Sequence, residues 1–240
     1  PLYTFKNAVG EWEGLSIDIL ARISRMTGLQ FVHEESFSTA QTLSLLKSGQ
    51  GQMNATLSIS PERKAFLNFT YSYGGAPWVF IVRTHDSRLG SLEQLSGKVL
   101  ALPARHALEA MIRREHPEVE IRTVASFDQA RSLVEKGEAD ATIQSETQAY
   151  LYPPGRLKVG RTVDGRWSAD TFSVHVKHPE LLSIVNKALE AMTMTEIRTL
   201  RSKWLGGVGK APFVEGSFYH SPWLYVPVTA LLVAGLVLFL

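Results

Sequence analysis

The 240-residue chain is 45% hydrophobic and 20% charged, enough to fill one large core or two smaller ones. Its formal charge of +2, with Lys and Arg scattered along the chain, argues against a nucleic-acid partner, which needs a clustered basic face. Cysteine is absent, which excludes disulfides, a thiolate nucleophile and Cys-ligated metal sites.

The opening Pro1-Leu2-Tyr3-Thr4-Phe5 does not read as a signal peptide and points to a segment of a longer chain. Residues 14–28 predict an amphipathic helix, with Ile17, Leu20 and Ile23 at helical spacing and Gly28 at its C′ position. Phe31-Val32 resembles a short strand. Residues 39–48 predict a second helix through Leu43, Leu45 and Leu46, stopped by Gly49 and Gly51. Residues 53–59 are strand-like, and residues 73–83 hold the continuous apolar run Trp78-Val79-Phe80-Ile81-Val82 of a buried strand.

A second unit then begins. Ser91-Leu92-Glu93-Gln94 has the capping-box pattern of a short helix. A buried strand is predicted over 98–102, a helix over 105–115, and a strand over 121–124. Ser126-Phe127-Asp128-Gln129 caps a helix to Gly137, followed by a strand over 139–143 and a helix toward Tyr150. Residues 172–176 predict a strand. His178-Pro179 opens a long helix, and Thr193 or Thr195 caps a last one that stops at Gly206-Gly207. Strands alternate with helices, which implies an α/β architecture with mostly parallel sheets.

The final stretch has a different composition. Residues 208–223 read as a juxtamembrane linker. Residues 224–240 carry no charge and predict the start of a transmembrane helix, edged by Phe218, Tyr219, Trp223 and Tyr225. A buried C-terminal core helix is the alternative.

The order of motifs resembles the family 3 periplasmic solute-binding proteins. Gly14-Leu15-Ser16-Ile17-Asp18-Ile19-Leu20 is similar to the family's helix start. Ser58-Ile59-Ser60-Pro61-Glu62-Arg63, followed by Phe66-Leu67-Asn68-Phe69-Thr70 and Tyr73, is similar to its "T-x-T-P-E-R … F-S-x-P-Y" block. Gly137-Glu138-Ala139-Asp140-Ala141 and the closing Lys203-Trp204 complete the pattern, which spans residues 2–207. Ala101-Leu102-Pro103-Ala104-Arg105-His106 further resembles the membrane-proximal Venus-flytrap domains of BvgS-like sensor histidine kinases.

The resemblance implies a two-lobed type II periplasmic-binding-protein fold. Residues 1–79 and 172–207 would form lobe 1, and 80–171 lobe 2. It also implies a small carboxylate or amino-acid-like ligand between the lobes. The ligand's carboxylate would meet Arg63, whose planar fork suits it, with donors from Thr56, Ser58 and Ser60. Phe37 maps to an aromatic lining the cleft. Tyr73 is a further candidate, with core packing or a hinge contact as its other reading. In lobe 2, Arg105 and His106 stand where the family often has a Gly-Thr or Gly-Ser pair. Arg105 would favour an anion at a helix N-terminus. His106 is either a pH-responsive group or a solvated or capping histidine. The acid that amino-acid binders use for the α-ammonium is replaced by Ser145, with Glu146 one residue along, so an α-amino acid is the weaker ligand expectation. Part of the family's binding site would precede Pro1.

The expected function is therefore extracytoplasmic ligand sensing, without catalysis, cofactor or metal. The chain would belong to a receptor in the bacterial inner membrane, with this domain in the periplasm and the full-length receptor a homodimer. A histidine kinase output follows from the resemblance alone. The alternatives are a dehydratase-like enzyme on the same scaffold, a transport-associated binding protein, and a ligand-free module held closed.

Overall fold

The two largest apolar clusters, one with each of the two larger sheets, organise the fold in the computed structural model, which describes residues 2–86, 89–152 and 155–206. The first begins with the hairpin of β1 (Phe5–Lys6) and β2 (Trp12–Glu13), which leads into α1 (Leu15–Thr27). Of the predicted stripe, Leu20 and Ile23 are buried and Ile17 only partly; Leu15 and Ile19 complete the inward face, and Gly28 ends the helix in the left-handed conformation at φ 77°. Helix α2 (Thr39–Ser48) follows, with the Ser38 side chain accepting the Gln41 N–H. Then come β3 (Met53–Asn54), α3 (Pro61–Lys64) and β4 (Leu67–Phe69).

The chain crosses to the second core through β5 (Gly74–Arg83), whose central residues are fully buried as its apolar run predicts. A 3-10 turn over Glu93–Leu95 precedes β6 (Val99–Pro103), α4 (Glu109–Glu115), β7 (Glu120–Val124), α5 (Phe127–Lys136), β8 (Ala141–Ser145) and α6 (Glu146–Ala149). Strand β9 (Leu157–Asp170) runs back to the first core, where β10 (Ser173–His175), α7 (Pro179–Ala191) and α8 (Met194–Leu205) complete it. The sheet orders are β3-β10-β4 and β7-β6-β8-β5-β9.

The outgoing and returning crossings lie side by side. Gly74 pairs with Asp170 and Gly75 with Ala169, while the Thr70 and Tyr73 N–H groups donate to the Phe172 and Asp170 carbonyls. Strands that leave and return between the same two bodies must run in opposite senses. That corrects the expectation of mostly parallel sheets: only β6 pairs in parallel, with β7 and β8, and the other described pairs are antiparallel.

Other expectations are revised locally. Phe31-Val32 forms no strand; Val32 is 92% exposed and has no neighbouring ladder. The strand expected over 53–59 stops at Asn54, because the Asn54 side chain accepts the N–H groups of Thr56 and Leu57 and turns the chain. The helix expected from residue 105 starts at Glu109, because Arg105 adopts φ 63° and a turn intervenes. At 91–94 the capping box does not form: the Gln94 side chain accepts from Gly90 instead, and no side-chain bond caps the 3-10 turn. Strand β9 escaped the sequence reading. It is an edge strand with one exposed face, interrupted by Gly160 and Gly165, so it lacks an apolar run. The expected linker and membrane helix, 208–240, lie outside the described residues. Among the described residues no helix is long and apolar enough to cross a membrane.

Candidate functional site

The site is built around Arg63. Ser60 and Pro61 open α3, with Pro61 in the first turn where its missing N–H costs nothing. This short helix turns Arg63 inward, leaving it 5% exposed. Its Nη1 donates to the Ser58 carbonyl and its Nη2 to the Arg105 carbonyl at 2.9 Å. The guanidinium thus joins the first lobe to the second through neutral acceptors. Among the described residues no carboxylate lies within ion-pair distance of it. Burial lowers its pKa to about 10, opposed by the nearby Glu62, so it remains a cation at neutral pH.

Arg105 can offer its carbonyl because of its left-handed backbone, held by its own N–H donating to Glu109 Oε2 at 2.8 Å. Its side chain is exposed. His106 is buried with its ring edge-on to Trp78 at 4.9 Å and to Phe127 at 5.8 Å. Its Nδ1 accepts the Leu108 N–H at 3.2 Å, so it caps the turn. Burial, aided by the Arg63 charge, pushes its pKa down to about 3, which keeps it neutral across the physiological range. The Leu108 bond is a capping contact.

The predicted residues divide between two spaces. An outer cavity of about 320 Å³ is lined by Ser60, Arg63, Arg105 and His106, together with Lys47 and Phe66. A hinge-side cleft of about 60 Å³ is lined by Thr56, Ser58, Tyr73 and Ser145, with Ser168 and Asp170. Across this cleft the hydroxyls of Ser58 and Ser168 meet at 3.1 Å. Tyr73 is buried against Phe172, and its hydroxyl donates to the Ala55 carbonyl at 3.2 Å and lies 3.0 Å from Ser16 Oγ. Burial raises its pKa, so it stays protonated. Ser145 accepts the Gln148 N–H at the start of α6.

Two predicted residues are not brought to the site. Phe37 is 81% exposed and lines neither space, because it precedes the Ser38 cap on the outer end of α2. Glu146, the first residue of α6, is half-exposed and also lines neither. Conversely, the sequence reading missed Asp170. It is held by Arg201 Nη1 at 2.6 Å and by the Tyr3 hydroxyl at 3.2 Å, and burial raises its pKa despite Arg201. Only recognition of β9 could have signalled it.

Comparisons with known proteins bear on the fold. The sequence profile of the bacterial extracellular solute-binding proteins, family 3, matches residues 1–207. The virulence sensor protein BvgS of Bordetella pertussis is 26% identical over 203 residues, covering 83% of this chain. The sensor protein EvgS of Escherichia coli K12 is 27% identical over 210 residues, covering 85%. The chain spans only 16% of the length of that BvgS and 17% of that EvgS. The crystal structure of the B. pertussis BvgS periplasmic domain superposes with a TM-score of 0.77 at 25% identity, over 92% of this chain and 44% of that one.

Proposed function

Because the chain belongs to the bacterial extracellular solute-binding proteins, family 3, we propose that it is the periplasmic sensor portion of a membrane-anchored two-component receptor that clamps a small carboxylate-bearing solute between its lobes. The observation that carries this reading is Arg63, a buried cation at the junction of the lobes whose two bonds go to neutral carbonyls. A buried charge with neutral acceptors is under-compensated. A carboxylate would give it charge-assisted, two-pronged bonds about twice as strong as neutral ones. Its differential affinity for closed and open lobes would shift the population between them.

The output follows from the crossing. Asp170 lines the hinge-side cleft and ion-pairs with Arg201 of α8, so a change in lobe angle is passed to the last described helix. In this reading residues 224–240 anchor the chain in the inner membrane, two receptors pair, and a kinase lies beyond, as similarity to BvgS and EvgS suggests.

The test is a thermal-shift screen of the 240-residue chain against organic acids and amino acids. A solute at 100 times its Kd adds roughly 2.7 kcal/mol, or ~5–10 °C for a domain of this size. Arg63→Ala should abolish that shift while the chain still folds. A full shift in Arg63→Ala would overturn the reading.

A second reading, a module held closed without a solute, is favoured by one observation: Arg63 already ties the lobes together through the Arg105 carbonyl. Small-angle scattering separates the two, since a permanently closed module gives the same curve with every solute.

A further inference from the structure

We propose that the outer cavity binds a monocarboxylate with an apolar body, an aliphatic acid rather than an α-amino acid; this rests on the carboxylate-sensing reading above and names the class of its solute. The space is large enough for a small organic molecule, at about 320 Å³, whereas the hinge-side cleft of about 60 Å³ holds a few waters at most. None of its lining residues belongs to the crossing segments, so the two spaces are separate in the fold.

The lining charges favour an anion. Lys47, Arg63, Arg105 and Arg113 face two acids, Glu62 and Glu109. Glu109 is engaged, through Oε1 with Arg113 at 3.0 Å and through Oε2 with the Arg105 N–H. Glu62 stands exposed on α3, where pairing with an ammonium gains little. In the hinge-side cleft, Asp170 is taken by Arg201. Neither space therefore offers a buried, uncommitted acid to an α-ammonium among the described residues. The walls are apolar: Leu43, Phe66 and Ala110 line the cavity, and Lys47 Nζ lies over the Phe66 ring at 5.0 Å.

His106 closes the cavity on the side of the second lobe. Its Nδ1 accepts from Leu108, which leaves the ring proton on Nε2. That Nε2 is buried and has no hydrogen-bond partner among the described residues. A buried donor without a partner is costly, and His106 lines this cavity. Packed against Trp78 and Phe127, the His106 ring forms part of the cavity wall beside the Arg63 cation.

The test is calorimetric titration of the full 240-residue chain with three probes of matched length: hexanoate, norleucine and hexanamide. Hexanoate should bind, norleucine at least tenfold more weakly, and hexanamide not measurably. Ala110→Phe, which fills the cavity from α4, should abolish hexanoate binding. Lys47→Ala, at an exposed position that the fold does not need, should weaken it about fivefold. Norleucine binding as tightly as hexanoate would overturn the inference and leave carboxylate sensing intact. So would hexanoate binding that is lost in Arg63→Ala but unchanged in Ala110→Phe and Lys47→Ala, which places the solute on the hinge side. Absence of hexanoate binding also overturns it, and the Arg63-dependent screen above then decides the broader reading separately.

Discussion

Arg201 on α8 and Asp170 at the end of β9 meet at 2.6 Å, tying the last described helix to the strand that returns between the lobes. The contact is tightly packed: Gly74 pairs with Asp170 across the crossings, and a Cβ added at Gly74 would overlap the Arg201 guanidinium. Asp170 is mostly buried, so removing its cation strands a charge. Arg201→Met should cost ~3 kcal/mol in urea unfolding. The double variant Arg201→Met with Asp170→Leu should recover most of that loss, because a buried pair replaced by apolar groups of similar size is close to neutral. A double variant as unstable as the single one would show that the pair is not the source of the cost.

His106 gives the domain an acid-sensitive fold without making it a sensor of mild acid. Its folded pKa, about 3, lies below the ordinary histidine value because burial disfavours the imidazolium. The stability tied to its neutral form is fully present above about pH 6.5. It is lost as pH falls toward 3, with a slope of about 1.4 kcal/mol per pH unit for one proton. His106→Asn keeps an acceptor for the Leu108 N–H and cannot charge. Denaturant unfolding at pH 7, 6, 5 and 4 should show the slope reduced by one proton in this variant. An unchanged slope would mean that other groups carry the acid dependence.

The start of α8 is closed by a reciprocal cap. Thr193 Oγ1 accepts the Glu196 N–H at 3.1 Å, and Glu196 Oε2 accepts the Thr193 N–H at 2.8 Å. Thr193→Ala should cost ~1 kcal/mol by denaturant unfolding. Thr195→Ala, inside the helix, should cost less than half of that. Equal losses would remove the cap as the cause.

Patterned segments were legible in the sequence and context-dependent ones were not. Helices α1, α2 and α7 carry apolar residues at helical spacing and end or begin on Gly28, Gly49 and Pro179, so local chemistry alone defines them. Strand β9 is defined by its partner β5, and no periodicity announces an edge strand with an exposed face. At the site, Arg63 was legible through a motif that also determines its short helix. Phe37 was misplaced because a mapped position says nothing about which way a loop faces. Asp170 and Arg201 are 31 residues apart and meet only through the tertiary arrangement.

Arg63 also makes a prediction about shape. Its Nη2 bond to the Arg105 carbonyl and the Ser58–Ser168 hydroxyl contact are direct ties between the lobes. Arg63→Met removes the stronger tie and a buried cation at once. Its effect on global stability should be small, within ~1 kcal/mol, since an apolar side chain of similar length avoids the desolvation cost of the charge. Its effect on lobe geometry should be large, because opening about the paired crossings breaks few other bonds between the lobes. Small-angle scattering should therefore show a larger radius of gyration for Arg63→Met at an unchanged urea midpoint. An unchanged radius would mean that the hinge-side contacts hold the lobes together and that Arg63 serves the solute alone.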